Sequence, residues 1–181
     1  MEQDISFEIM SSLMKGQLHA RALAKKLGTN HMTIARKLKE LVTENVLDFR
    51  TEGKNKVYFT KKSIEARSFA IMSEMHKLNK TLEKYPELRG VVEAVQKNPR
   101  IELAVLFGSY AKGRVREDSD IDVFIETKNR KMKQEIELLN TRLSVKIGGY
   151  DRENLLIKEI EKNHVIIKGA EPYYERNRFF Y

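Results

Sequence analysis

The stretch Ile101–Glu126, IELAVLFGSYAKGRVREDSDIDVFIE, constrains the fold more than any other. Two apolar runs, Leu103–Phe107 and Ile121–Ile125, flank a Gly-Ser pair and a basic loop, which predicts strand, turn, loop, strand. Asp120 and Asp122 take alternate positions of the second strand. Alternate residues of a strand share a face, so the two carboxylates project side by side while Ile121, Val123 and Ile125 point to the core. Two carboxylates together beside apolar residues call for a cation. Mg²⁺, or the similar Mn²⁺, suits them, because a hard ion takes carboxylate and phosphate oxygens. Glu126 shares their face but lies roughly 13 Å along the strand from Asp122, too far to join the same ion.

The rest of the chain places this stretch in a second domain. The 181 residues suffice for one large domain or two small ones. Net charge is +8, and its excess is concentrated early: residues 1–62 hold 12 Lys/Arg against 7 Asp/Glu. A polyanionic partner, nucleic acid or nucleotide, fits this balance; so does an ordinary basic surface. Cysteine is absent, which excludes a disulfide framework and thiolate metal sites. No apolar run is long enough for a membrane span, and MEQDISFEIM lacks a signal-peptide pattern, so a cytoplasmic protein is expected.

Helical spacing marks residues 4–14, 20–27 and 31–44, the second closed by Gly28 and the third capped by Thr29 or Asn30. Ile34, Leu38 and Leu41 form the buried stripe of the third helix; Thr33, Arg36, Lys37 and Glu40 lie opposite. Two short strands, residues 46–51 and 56–60, follow around Glu52-Gly53-Lys54-Asn55. Residues 61–85 predict a long helix with Ile64, Phe69, Met72, Met75, Leu78 and Leu82 on its apolar side. Pro86 interrupts it, and 87–97 resumes with Leu88, Val91, Val92 and Val95 inward. Beyond Glu126 come a helix at 130–139 with Met132, Ile136 and Leu139 inward, a strand at 143–150, a helix at 151–162, a strand at 164–168 and an aromatic, basic tail whose expected role is packing.

The segment ALAKKLGTNHMTIARKLKEL with the following hairpin resembles a winged helix-turn-helix domain, over about residues 4–62. The resemblance implies DNA as partner, with Asn30, His31, Thr33, Arg36 and Lys37 facing the major groove and Arg50, Lys54 and Lys56 on phosphates. A protein-docking module is the other use of such a domain. Gly108-Ser109, ten residues, then Asp120-x-Asp122 resembles the signature of the DNA polymerase beta-like nucleotidyltransferases, nearest their minimal branch.

That resemblance implies an NTP ligand whose phosphates approach the backbone at Gly108, with Ser109 donating a hydroxyl. Lys112, Arg114 and Arg116 would supply positive charge, and Asp120 and Asp122 would bind the metal catalytically; Asp118 reads as a turn residue. The activity implied is transfer of a nucleoside monophosphate from NTP to an acceptor hydroxyl. In the minimal branch the acceptor can be a partner protein, as in toxin–antitoxin pairs. Active members carry a third acid on a neighbouring strand. Here the positions facing the aspartates are Ser144 and Lys146, and Lys146 could stand in a second metal's place as a fixed cation. A catalytically degenerate, nucleotide-sensing transcriptional regulator is the alternative.

The expected architecture is therefore α+β. A winged helix-turn-helix domain occupies 1–62, linker helices that can mediate a homodimer occupy 63–98, and a small mixed-sheet nucleotidyltransferase fold occupies 99–181.

Overall fold

A computed structural model describes residues 2–180, with side chains from residue 5. The chain separates into two compact units. One takes the chain up to His76 and returns for Phe179 and Phe180; the other runs from Lys77 to Arg178.

The first unit opens with α1 (Glu2–Leu13), a two-residue strand β1 (Leu18–His19), α2 (Ala20–Leu27) and α3 (His31–Thr43). Gly28 ends α2 in the left-handed conformation and returns its N–H to the Ala24 carbonyl. Asn30 then starts α3, its Oδ1 accepting the Met32 N–H at 2.7 Å. Such a cap contributes about 1 kcal/mol. The stripe Ile34, Leu38 and Leu41 is buried, together with Ile9, Met10, Leu13 and Leu23. Next come β2 (Leu47–Glu52) and β3 (Asn55–Thr60), an antiparallel hairpin about Gly53-Lys54. Strand β1 pairs with β3, giving the order β1-β3-β2. Two residues carry no readable periodicity, so β1 was not expected from the sequence.

Helix α4 (Ile64–Lys84) passes from one unit into the other. Of the large apolar residues expected inward, Leu78 is buried and Leu82 packs against the core, but the other buried positions are small or polar. Ala66, Ala70, Ser73, Glu74 and Leu78 are buried, whereas Ile64 is 83% exposed and Met72 and Met75 face solvent. Small residues allow close helix packing and leave no hydrophobic period to read.

In the second unit Pro86–Leu88 forms one 3-10 turn before α5 (Arg89–Lys97). The sheet contains β4 (Ala104–Leu106), β5 (Ile121–Glu126), β6 (Leu143–Gly148) and β7 (Val165–Lys168), in the order β6-β5-β4-β7. β5 and β6 run parallel, joined by α7 (Arg130–Glu137); the other pairs are antiparallel. One face carries Ala104, Leu106, Ile121, Val123, Ile125, Leu143 and Val145. It forms the core with Val91, Val92, Val95, Met132 and Ile136. The other face carries Val105, Phe124 and Ile166, which are also buried.

Several boundaries depart from the sequence expectation. Gly108–Lys112 is a five-residue helix, α6, and not a turn. Helix α7 stops at Glu137, so Leu139, expected inward, is 49% exposed. Asn154 caps α8 (Leu155–Lys162), which delays that helix beyond Asp151. The tail forms α9 (Ala170–Arg176) and buries Tyr173 and Tyr174, as its expected packing role requires; Tyr181 lies outside the described residues. No helix among the described residues is long and apolar enough to cross a membrane.

Candidate nucleotide and metal site

The site is built where β4 ends, α6 begins and β5 starts. Phe107 donates its N–H to the Asp122 carbonyl at 2.9 Å, which fixes the end of β4 beside the first residues of β5. The chain then reverses through Gly108, at φ +67°. No side chain fits at this residue: a Cβ would lie 2.2 Å from Asp122 Oδ2. Gly108 is thus required twice, by its backbone conformation and by the carboxylate packed over it. Ser109, half-buried, follows in α6, and Gly113 closes the helix in the left-handed conformation.

Asp120 is exposed and stands one residue ahead of β5; Asp122 is the strand's second residue and half-buried. Burial raises the Asp122 carboxyl above its ordinary value, and the charge of Asp120 pushes in the same direction. Lys146 and then Lys112 act against them. The two carboxylates therefore interact, as expected from their alternation.

Lys112 is anchored as well as positioned. Its Nζ lies 2.6 Å from Glu159 Oε1 on α8, and this lysine holds the Glu159 carboxyl below the ordinary carboxylate range. The sequence gives no sign of Glu159, which is 47 residues away. Arg114 and Arg116 are exposed on the loop after α6. That loop is held by its own turn, with Ser119 Oγ accepting the Arg116 N–H at 2.8 Å. A second unforeseen group supports it: Arg142 donates to the Glu117 carbonyl and to the Tyr110 hydroxyl, each at 3.2 Å, and Tyr110 donates to Glu87 at 3.2 Å.

Across β5 and β6 the register pairs Asp122 with Ser144 and Phe124 with Lys146. Paired residues of neighbouring strands share a face. Ser144 therefore stands beside Asp122 and Lys146 beside Phe124, so the expected placement of Ser144 and Lys146 against Asp120 and Asp122 is displaced by two residues along the strand. Glu126, further along the same face, is engaged by Arg176 Nε at 2.6 Å. Among the described residues no group of three or more His, Cys, Asp or Glu could hold a metal ion. The donor set is a pair of carboxylates, one of them packed over a glycine. It suits a hard cation whose remaining ligands are water and phosphate oxygens.

Residues 89–178 match the family described as Polymerase beta, Nucleotidyltransferase. All of Gly108, Ser109, Lys112, Arg114, Arg116, Asp120 and Asp122 fall inside the matched span. No curated protein matches the chain.

The candidate DNA-facing residues of the first unit are divided. Asn30 and His31 are exposed at the start of α3, Arg36 is exposed, and Thr33 is half-buried. Lys37 departs from the expectation: it is 8% exposed, and its Nζ lies 2.8 Å from Glu40. Lys37 is thus buried in α3 and paired on its own helix, not displayed on the face expected to meet DNA. On the hairpin, Arg50 is bonded to Glu52 at 2.7 Å, Lys56 lies 3.8 Å from the centroid of the Phe49 ring, and Lys54 is exposed in the turn.

Proposed function

We propose that the protein is a DNA-binding nucleotidyltransferase that passes a nucleoside monophosphate from an NTP to an acceptor hydroxyl. The observation that carries this reading is the approach of Gly108 to Asp122, within a domain matching the nucleotidyltransferase family. A backbone without a side chain lets the Asp122 carboxylate lie against the start of α6, where a metal-bound triphosphate would meet both.

In this reading Asp120 and Asp122 hold Mg²⁺ or Mn²⁺. The bound cation supplies charge neutralisation on the phosphates. Gly108 lets the triphosphate reach the backbone, and Ser109 donates a hydrogen bond to it. Lys112 and Lys146 place positive charge beside it, and Arg114 and Arg116 face the phosphates or the acceptor. The acceptor oxygen attacks the α-phosphorus, the bond to the pyrophosphate oxygen breaks, and the hydroxyl proton leaves to solvent. The acceptor is a hydroxyl of a partner protein, in the manner of a toxin and its antitoxin, and the protein works as a cytoplasmic homodimer.

The first unit supports the DNA-binding half. Its order of helix, strand, helix, helix and hairpin suits a winged helix-turn-helix, with Asn30, His31 and Arg36 displayed by α3 and Lys54 by the wing.

A second reading has its own support. Ser144 and Lys146 replace the carboxylate that would activate the attacking hydroxyl, which favours a nucleotide-sensing transcriptional regulator. Labelled NTP with Mg²⁺ and a cell extract separates the two. A labelled acceptor that vanishes with Asp120→Ala establishes transfer. Tight nucleotide binding without label transfer establishes the regulator, and absence of both overturns each.

A further inference from the structure

Helix α3 turns a second stripe to solvent, opposite the buried Ile34, Leu38 and Leu41. Met32, Ala35, Arg36 and Lys39 are spaced i, i+3, i+4 and i+7, so they follow one another along one side of the helix. Met32 is 72% exposed, Arg36 and Lys39 are exposed, and Ala35 is half-buried. None of the four is acidic. The start of the helix is held in place: Asn30 Oδ1 accepts the Met32 N–H at 2.7 Å, and the Asn30 carbonyl accepts the Ile34 N–H at 3.2 Å. Asn30 is thereby engaged as the cap, and Met32 is the large side chain that the first turn displays. A single exposed apolar residue is ordinary on a protein surface. Met32 is set apart by its company. It heads a row that carries two cations, within residues 1–62, which hold 12 Lys/Arg against 7 Asp/Glu.

We infer that Met32 is a specificity-determining residue that meets the 5-methyl group of thymine in the DNA major groove, with Lys39 at a flanking phosphate. Positive charge around the stripe favours a polyanion as its occupant. On duplex DNA the thymine methyl is the apolar mark of the major groove, and it suits an apolar side chain where an arginine or lysine would seek an acceptor. The methionine chain is unbranched and its sulfur polarisable, so it adapts to a methyl at a fixed position. The short side chain of Ala35 lets the groove edge come close to the helix beside it. The inference rests on the DNA-binding reading above and names a base feature that such an interface distinguishes.

The test uses the duplex that the full chain recovers from a random library, made once with thymine and once with uracil at every thymine position. Uracil keeps the hydrogen-bonding groups of thymine and lacks the methyl, so the pair isolates this one contact. By fluorescence anisotropy, wild type should prefer the thymine duplex by about fourfold for each methyl met. Met32→Ala should lose about that factor on the thymine duplex and bind both duplexes alike. Its slope of log affinity against log salt should equal that of wild type, because no charge is removed. Met32→Leu should keep a thymine preference. The same thymine-to-uracil ratio in wild type and Met32→Ala overturns the inference. So does loss of self-association in Met32→Ala with DNA binding intact, which would assign Met32 to a protein contact. If wild type binds duplexes and ignores the methyl, the inference alone fails; if wild type binds no duplex, the DNA-binding reading fails with it. Met32 is exposed, so its variants should keep the wild-type unfolding midpoint, which urea unfolding checks.

Discussion

Gly108 and Asp122 occupy one another's space: a Cβ on residue 108 would stand 2.2 Å from a carboxylate oxygen of Asp122, and the residue has φ +67°. Gly108→Ala therefore combines two penalties. The left-handed backbone costs about 1–2 kcal/mol for any residue with a Cβ, and the clash adds to it. A total loss of roughly 3 kcal/mol is expected in urea unfolding. Asp122→Ala removes the oxygen at 2.2 Å and the carbon at 3.1 Å, so the double variant should recover the clash and retain the backbone strain. Strict additivity of the two single changes would refute the steric account.

This relationship also marks how far the sequence could be read. The strands on either side of Gly108-Ser109 and the alternation of Asp120 and Asp122 follow from local pattern, and both were legible. So were Gly28, Asn30 and the stripe Ile34, Leu38 and Leu41, where capping chemistry and a helical period agree. The face of β6 that carries Ser144 and Lys146 was legible from hydrophobic alternation, but its register was not: a shift of two residues keeps the same face, and the strands pair Asp122 with Ser144 and Phe124 with Lys146. What stayed hidden depends on contacts distant in sequence. Glu159 meets Lys112 across 47 residues, and Arg142 reaches Tyr110 across 32. The buried face of α4 was read only at Leu78 and Leu82, for another reason: Ala66, Ala70 and Ser73 are buried and small, and a search for large apolar residues also finds Ile64 and Met72, which are exposed.

The Lys112–Glu159 pair holds a lysine that the proposed function needs at the phosphates. Both side chains are about two-fifths exposed, at 39% and 43%, so the pair is only weakly stabilising. Glu159→Gln should leave the unfolding midpoint unchanged. It should also free Lys112 and tighten nucleotide binding about two- to fivefold. Calorimetric titration with a non-hydrolysable NTP measures this, and weaker binding would show that Glu159 positions Lys112 instead of competing for it.

Tyr150 gives the fold an alkaline limit. Burial, followed by the nearby Glu161 carboxylate, raises its phenol well above the ordinary tyrosine value of 10.0. The hydroxyl donates to Glu161 at 3.2 Å, and the ring meets Tyr173 edge-on at 5.8 Å. A raised native pKa means that the native state holds its proton longer than the unfolded chain does. The stabilisation is thus complete below pH 10 and is lost as pH rises through the native value. Stability of the wild type should fall above pH 10 more steeply than that of Tyr150→Phe, which has no proton to lose. At neutral pH Tyr150→Phe should cost about 1 kcal/mol for the lost hydrogen bond. Parallel alkaline stability curves for the two proteins would count against this origin.

Arg36 and Lys37 are adjacent in α3, yet their surroundings predict opposite phenotypes. Lys37 is 8% exposed, with its ammonium 2.8 Å from Glu40. Lys37→Ala should lower stability by about 1 kcal/mol, chiefly through lost packing. Lys37→Met, which retains the stem, should recover most of it. Arg36 is exposed, and its guanidinium lies 3.8 Å from Glu40, an exposed pair of a kind that contributes little to stability. Arg36→Ala should leave the unfolding midpoint unchanged and weaken DNA binding. If Arg36 contacts a phosphate, the loss is uniform across sequences, and the slope of log affinity against log salt falls by about 1. If it reads a base edge, the loss is confined to the preferred sequence at about 1–3 kcal/mol, with the salt slope less affected. Fluorescence anisotropy on specific and random duplexes at three salt concentrations separates these outcomes. A wild-type-like isotherm for Arg36→Ala on every duplex would remove α3 from the proposed DNA interface.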